Sequence, residues 1–284
     1  MSTRLFELAR QKFADAAIDW NTDTIRSMLL DPTVADTHVK AVSGATNANP
    51  AVLTVTAHGW SNGDIVVVGG VGGNTAVNQV AKIANQATNT FELRTLKDAL
   101  NVQKNGAFTT NGWVVNLTQT ATLDQISAGR ISTDVALTTP TIVNGVLDAD
   151  DTTHTSVTGA VAAQILFKFV TNDAGSFPAV WQDGKQQVVA AADAASSATT
   201  LWVEPLAGAM PSGATLIFSN GITATLNGAV SAGARNLTVN ALSGAIAAGH
   251  TAEAATTNGG FPFTGGGGSY TIQYDNGANK IIKL

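Results

Sequence analysis

Residues 164–170 read Gln-Ile-Leu-Phe-Lys-Phe-Val, an apolar run about as long as one β-strand. A continuous apolar run of roughly four to eight residues indicates a strand that is covered on both faces, and so predicts the central strand of a sheet. Runs rich in Val, Ile and Thr, bounded by Gly, Asn, Asp and Pro, predict further strands. These runs lie at residues 24–30, 51–56, 65–68, 90–94, 131–137, 152–157 and 270–274. We therefore predict a mainly β protein.

One stretch near the start has helical periodicity instead. Six apolar side chains recur there at near-helical spacing and predict a short amphipathic helix over residues 3–17. They are Leu5, Phe6, Leu8, Ala9, Phe13 and Ala16. We expect no other helix of comparable length.

Asn-Gly pairs predict two hairpins, because a tight hairpin turn needs residues that accept a positive φ. Asn62-Gly63 separates the second and third of the runs above. Asn276-Gly277 separates residues 270–274 from residues 280–284 at the end of the chain. The four glycines at 265–268 predict a flexible connection into this last hairpin.

Two stretches of the chain repeat each other. Residues 200–213 read TLWVEPLAGAMPSG and residues 236–249 read NLTVNALSGAIAAG, with Leu, Val, Leu, Gly, Ala and Gly in the same places. We predict a duplicated β-unit whose apolar faces pack together, since one such unit cannot bury its own face. The alternative is a repeated surface that docks onto a lattice of partner subunits.

These patterns predict one core domain that is interrupted twice. Residues 1–41, 119–186 and 256–284 form the core, which we expect to be a small β-sandwich or barrel with the N-terminal helix. Residues 42–118 form one inserted β-domain, and residues 187–255 form another that contains the duplicated unit.

The composition of the chain excludes several classes of function. Charged residues make up 12% of the 284, well below the roughly 25% of ordinary soluble domains. The net charge is −5 and the basic residues form no run, so we expect no nucleic-acid partner. Cysteine is absent, which excludes disulfides, thiolate metal sites and cysteine nucleophiles. No apolar run has the length of a membrane span or a signal peptide, so we expect no membrane partner and synthesis in the cytoplasm.

Asp148, Asp150, Asp151 and His154 form the densest polar cluster of the sequence. Carboxylates at this spacing are able to bind Ca²⁺, but the glycine and distal glutamate of a helix-loop-helix calcium site are not in place. We therefore favour a solvated, Asp-rich turn. The other histidines, at positions 38, 58 and 250, lack the spacing of a metal site on a helix. The sequence thus predicts no catalytic, cofactor-binding or metal-binding residue, and a protein that is not an enzyme.

Glycan cleavage needs two carboxylates that face each other across a groove. Nothing in the sequence pairs the three acidic residues of the second insertion, which are Asp193, Glu204 and Glu253. The tryptophans lie within or beside predicted strands and turns, so we expect them in the core. They are Trp20, Trp60, Trp113, Trp181 and Trp202. Exposed tryptophans within residues 42–118 or 198–250 would instead favour a protein that attaches to a surface.

Three stretches resemble a family of bacteriophage virion proteins. The opening Phe6–Asp31 (FELARQKFADAAIDWNTDTIRSMLLD) is similar to the starts of these proteins, and Gly145–Gly159 (GVLDADDTTHTSVTG) and Tyr270–Leu284 (YTIQYDNGANKIIKL) follow in the same order. Family members are usually shorter and lack the insertions. Ser43–Asp64 also resembles a β-module of phage tail and particle proteins, and residues 198–250 resemble modules of head and head-decoration proteins.

This resemblance implies a structural protein of the virion. We expect a capsid decoration or head-spike protein that stabilises the shell through β-rich contacts with the major capsid protein or other virion proteins, and that forms a homo-oligomer. The alternative is a tail, collar or fibre component that binds a glycan on the host surface. An enzyme such as a depolymerase would need converging carboxylates in a cleft.

Overall fold

The computed structural model describes residues 3–255, 261–274 and 282–283. Within them it has one α-helix, α1 (Glu7–Ala14), and four 3-10 turns at Thr75–Val77, Leu123–Gln125, Ser127–Gly129 and Asp173–Gly175. In chain order the strands are β1 (Thr3–Leu5), β2 (Ile25–Leu30), β3 (Val39–Val42), β4 (Gly44–Ala45), β5 (Val52–Thr54), β6 (Ile65–Gly69), β7 (Val80–Ala87), β8 (Thr90–Arg94), β9 (Gly112–Asn116), β10 (Val135–Ala136), β11 (Thr141–Val143), β12 (Val146–Asp148), β13 (Thr152–His154), β14 (Thr158–Val161), β15 (Ala163–Lys168), β16 (Phe177–Gln182), β17 (Lys185–Val189), β18 (Thr200–Trp202), β19 (Thr215–Ile217), β20 (Thr223–Thr225), β21 (Asn236–Thr238), β22 (Thr251–Ala255), β23 (Phe263–Gly266), β24 (Tyr270–Ile272) and β25 (Ile282–Lys283). The prediction of a mainly β protein with a short N-terminal helix is confirmed.

A five-stranded antiparallel sheet runs in the order β1-β16-β15-β2-β10. Strand β15, which contains most of the apolar run at 164–170, pairs with β16 on one side and with β2 on the other. Ile165, Leu166 and Phe167 are fully buried although successive side chains point to opposite faces, so the sheet is covered on both sides. The prediction of a central strand is confirmed. The predicted strand at 131–137 is reduced to the two residues of β10, at the edge of the sheet.

The N-terminal helix is shorter than predicted. Thr3–Leu5, which we expected in its first turn, form β1 and pair with β16. The N–H of Phe6 continues this pairing by donating to the carbonyl of Ala179. The helix ends at Ala14, and Ala16 takes a left-handed φ of +55° that a helix cannot contain. The apolar spacing of the first residues suits a strand as well as a helix, and the free edge of β16 decides between them.

A seven-stranded antiparallel sheet, in the order β3-β9-β6-β7-β8-β5-β4, forms a nearly closed barrel. Its end strands, β3 and β4, follow each other in the chain with only Ser43 between them. They act as one kinked strand that pairs with β9 through its first part and with β5 through its second. The barrel closes on this strand.

The predicted hairpin around Asn62-Gly63 is wrong. Strand β5 pairs with β4 and β8, whereas β6 pairs with β7 and β9. Gly63 does take the positive φ of a turn, at +93°. The connection between the two strands instead buries Trp60 in the barrel, against His58 and Phe91. The turn acts locally, while burial of the apolar side chains selects the strand partners.

Residues 185–255 have pseudo-two-fold symmetry. Each residue of the first half corresponds to the residue 36 positions later in the second half. Leu201 and Leu237 correspond in this way and are also cross-strand partners, so the symmetry axis passes between them. Strand β18 pairs with β21 about this point, and the β17–β22 pair corresponds to the β20–β19 pair. The leucine and valine positions that the repeats share lie in one buried cluster, in agreement with the prediction that the two units cover each other. The symmetry extends past the repeat that is visible in the sequence.

The last strands pair with the middle of the chain. Strand β24 pairs with β13 and β25 pairs with β12, so the predicted terminal hairpin is wrong for the described strands. Its Asn276-Gly277 turn lies outside the described residues. The prediction of a flexible Gly265–Gly268 segment is also wrong at its start, because Phe263–Gly266 form β23 and pair with β14. A Cβ at Gly265 would overlap the carbonyl of Val157, so the close approach of these two strands requires glycine.

Three clusters of buried apolar side chains fill the described parts of the chain. One surrounds the five-stranded sheet, one fills the barrel and one fills residues 188–254. Val66 and Val114 point into the barrel, whereas Val67 and Val115 from the same strands join the cluster of the five-stranded sheet. The barrel therefore packs its outer face on that sheet. The division into a core and two insertions stays a prediction. In the described ranges no helix has the length and apolarity to cross a membrane.

Candidate functional site

The Asp148–His154 cluster does not form a metal site. Asp151 Oδ1 accepts a hydrogen bond from the backbone N–H of Tyr274 at 2.9 Å, and the His154 ring is fully buried. Among the described residues no group of three His, Asp or Glu side chains is placed to hold a metal ion. Asp150 stays exposed on the connection between β12 and β13. Residues 149–151 form an irregular connection between the two strands, and the histidine that follows is turned inward.

His154 belongs to a buried network of polar side chains that joins two sheets. Its Nε2 lies 2.7 Å from Ser27 Oγ in β2, and its Nδ1 lies 2.9 Å from Ser132 Oγ. Gln164 in β15 donates to Ser27 Oγ at 2.6 Å and to Tyr274 Oη at 2.7 Å. These bonds fasten the five-stranded sheet to the β13–β24 pair.

The Ser27–His154 pair has the spacing of a nucleophile and its base, but not the setting. Both side chains are fully buried. In a catalytic triad the other ring nitrogen of the histidine contacts a carboxylate, whereas His154 Nδ1 contacts the hydroxyl of Ser132. Burial lowers the pKa of His154 from 6.5 to about 4 and raises the pKa of Tyr274 to about 12. Both groups are neutral at pH 7 and serve as hydrogen-bonding links.

The other three histidines are also buried and bonded within the fold. His38 Nδ1 accepts a hydrogen bond from Trp60 Nε1 at 3.2 Å. His58 Nδ1 accepts one from the backbone N–H of Trp60 at 3.0 Å, and His250 Nδ1 lies 2.8 Å from Ser219 Oγ. Burial lowers the pKa of His38 and of His250.

Glu253 and Asp183 converge on the guanidinium of Arg4. Arg4 Nη2 lies 2.6 Å from Glu253 Oε2, and Nη1 lies 3.1 Å from both carboxylate oxygens of Asp183. The side chain of Arg4 is 13% exposed and the two carboxylates are 5% exposed each. Burial alone would lower the pKa of Arg4, but the two carboxylates have the larger effect and raise it. Burial raises the pKa of Glu253. The guanidinium fills the space between the carboxylates, so they do not face each other across a groove as glycan cleavage requires.

This ion cluster connects the three parts of the fold. Arg4 comes from β1 of the five-stranded sheet, and Glu253 comes from β22 of the pseudo-two-fold module. Glu253 Oε1 also accepts the backbone N–H of Val80 in β7 of the barrel at 3.3 Å, and Gln187 Nε2 donates to the Val80 carbonyl at 3.1 Å. Buried, mutually paired polar groups of this kind hold three packed units in one relative orientation.

The remaining acidic residues of the second insertion have other partners. Glu204 Oε1 lies 2.7 Å from Lys97 Nζ, and this hydrogen bond lowers the pKa of Glu204. Asp193 Oδ1 accepts the backbone N–H of Ala248 at 2.8 Å. The three acids that we considered for glycan cleavage therefore do not form a pair.

Four of the five tryptophans lie in the core as predicted, and one does not. The buried ones are Trp20, Trp60, Trp113 and Trp181. Trp202 is 53% exposed at the end of β18, so the prediction that it packs in the core is wrong. Leu201 beside it is fully buried, and strand alternation then turns Trp202 outward.

An open cleft of about 460 Å³ beside the five-stranded sheet is lined by Arg26, Arg130 and residues 131–134, and no sequence pattern predicted it. Arg130 Nη2 lies 2.9 Å from both carboxylate oxygens of Asp173. Arg130 Nε lies 3.1 Å from Asp134 Oδ1, at an angle outside hydrogen-bond geometry. The lining carries two arginines and one aspartate, and Asp173, which is outside the lining, pairs with Arg130. Arg26 lies in β2, far along the chain from residues 130–134, so the sequence does not show that they share a cleft.

The histidines and the buried acidic side chains described above are thus bonded to other groups within the fold. Among the described residues, Trp202 is the aromatic side chain that is exposed. A scan against protein-family models finds no match for this chain. A search of curated proteins finds no match either.

Proposed function

We propose that this chain is a non-enzymatic structural protein of a bacteriophage particle and, within the particle, a capsid decoration or head-spike protein. The observation that carries the proposal is that the described parts of the three stretches with a resemblance to virion proteins contact one another. They are Phe6–Asp31, Gly145–Gly159 and Tyr270–Leu284.

The contacts between these stretches are specific. Strand β13 of the middle stretch pairs with β24 of the last, and β12 pairs with β25. The first stretch reaches the middle one through two hydrogen bonds, Trp20 Nε1 to the Asp148 carbonyl at 3.0 Å and Ser27 to His154 at 2.7 Å. The resemblance therefore falls on one packed unit, which supports a shared core with two additions.

The strand pairing at the ends of the two predicted insertions supports this division. Strands β17 and β22, at the two ends of the pseudo-two-fold module, pair with each other, so this module leaves and re-enters the core at one place. The barrel does the same through β3 and β9. We propose that the core contacts the major capsid protein or other virion proteins and that copies of the chain associate on the shell. Many weak contacts repeated by symmetry would then stabilise the shell.

An add-back experiment tests the shell contact. Particles made without this chain are mixed with increasing amounts of the purified protein, and bound protein and the temperature of shell disruption are measured. We expect saturable binding and a higher disruption temperature, while heat-unfolded chain added at the same concentrations has neither effect. Binding to isolated tails but not to shells would overturn the capsid assignment.

The alternative is a tail, collar or fibre component that binds a host-surface glycan. One observation favours it, namely the exposure of Trp202 within residues 198–250. The two candidates differ in copy number, since decoration proteins cover a lattice and tail components are few. A net charge of −5 agrees with either external position, away from packaged nucleic acid.

A further inference from the structure

We propose that the exposed face of the β18–β21 pair is a binding site for a neutral saccharide, with Trp202 as the platform on which a sugar ring stacks. The inference deepens the attachment candidate above and rests on it only for the source of the glycan. Binding itself is a property of the isolated chain.

The face is a small two-stranded surface with a rigid base. Thr200 pairs with Thr238 and Trp202 pairs with Asn236, and all four residues are exposed. Directly opposite residues of an antiparallel pair have Cβ atoms about 5 Å apart, so the indole stands beside a carboxamide. The residues between them, Leu201 and Leu237, are fully buried in the cluster of this module.

The fold does not need an aromatic side chain at position 202. The pseudo-two-fold symmetry places Thr238 at the equivalent position in the second half. The buried positions of the two halves match in character, for example Val203 with Val239. The halves therefore keep the same packing and differ in what they expose, and Trp202 is a feature of the surface.

A large exposed indole carries a cost that a function would explain. Trp202 is the one aromatic side chain among the described residues that counts as exposed. The other exposed side chains of this face carry hydroxyl and carboxamide groups, which both donate and accept hydrogen bonds. A flat apolar ring bordered by such groups complements a sugar, which has an apolar C–H face and a rim of hydroxyls.

The charges around this face indicate which class of saccharide it would bind. Glu204 is paired with Lys97 at 2.7 Å, and Asp98 and Arg235 are a second acid and a second base near that pair. These four charges balance, so the surroundings favour a neutral sugar over a polyanion. A second protein is a poorer fit, because a stable interface buries about 800 Å² per partner around an apolar centre and this face has one apolar side chain.

Titration of the full chain with neutral hexasaccharides tests the proposal. The probes are hexamers of glucose, galactose, mannose and N-acetylglucosamine, with a hexauronic acid for comparison, and the readouts are tryptophan fluorescence and calorimetry. Trp202→Thr installs the residue that the second half has at this position, and Trp202→Phe keeps a smaller ring. Val34→Thr changes another exposed apolar residue and serves as the control.

We expect at least one neutral hexamer to bind the wild type, at least tenfold weaker binding by Trp202→Thr, and an intermediate affinity for Trp202→Phe. Val34→Thr should bind like the wild type, and the melting temperatures of all variants should agree within about 2 °C. The proposal is overturned if no neutral hexamer binds, if Trp202→Thr binds as well as the wild type, or if the uronic acid binds best. A high copy number on the capsid would count against the tail assignment and leave this result untouched.

Discussion

Acid should weaken the contact between the five-stranded sheet and the β13–β24 pair, because His154 is buried there in its neutral form. Burial holds its pKa at about 4, against an ordinary value of 6.5. As the pH falls below 6.5, the unfolded chain takes up a proton at this side chain that the folded chain does not. The stability is therefore complete above pH 6.5 and is lost as the pH falls toward 4. At pH 4.5 this loss amounts to about 2.5 kcal/mol.

The substitution His154→Gln isolates this effect. Glutamine keeps a donor and an acceptor for the two serine hydroxyls but has no proton to take up. Unfolding free energies of both proteins are measured by urea denaturation at pH 7 and pH 4.5. The wild type should lose about 2.5 kcal/mol more than the variant. His38, His250 and the carboxyl groups titrate in both proteins and cancel in the difference. Equal losses would refute the assignment of a neutral, buried His154.

Four further substitutions, arranged as three tests, probe the packing. Ser197 has a left-handed φ of +69° where its repeat equivalent is Gly233 at +80°, so Ser197→Gly should stabilise the protein by roughly 0.5–1 kcal/mol; a lower melting temperature would contradict this. Arg4→Ala leaves two buried carboxylates without their counterion and should cost about 3–5 kcal/mol in urea denaturation, and a loss below about 1 kcal/mol would refute the buried cluster. Gly73 and Gly213 have nearly equal φ, +79° and +78°, but a Cβ at Gly73 would overlap a backbone carbonyl and one at Gly213 meets open space. Replacement of each by alanine should cost about 1 kcal/mol at Gly213 and several times more at Gly73, measured as melting temperatures, and similar costs would contradict the close approach.

The sequence was informative where a pattern depends on burial alone. The run at 164–170 predicted a central strand because only a strand covered on both faces tolerates continuous apolar residues. The repeat predicted mutual packing of its halves because Leu201 and its equivalents need cover. It could not show the full symmetry, because outside 200–213 and 236–249 the related positions keep their backbone pairing while their side chains differ.

Strand partners and exposed faces were harder to predict, for physical reasons. An Asn-Gly turn specifies a local reversal, but β5 and β6 separate because Trp60 between them is buried in the barrel. The network around His154 joins Ser27 and Gln164, which are far apart in the sequence and carry no shared motif. Trp202 lies in a strand pattern like those of the buried tryptophans, and nothing in the sequence says which face of β18 is covered.

The central claim is that this chain is a structural protein of a phage particle, and its copy number in purified particles tests it most directly. Quantitative mass spectrometry would compare peptides of this chain with peptides of the major capsid protein. We expect a ratio of the same order as that of the capsid protein. A far lower ratio would move the chain to the tail, collar or sparse fibres, and its absence from particles would contradict the claim itself.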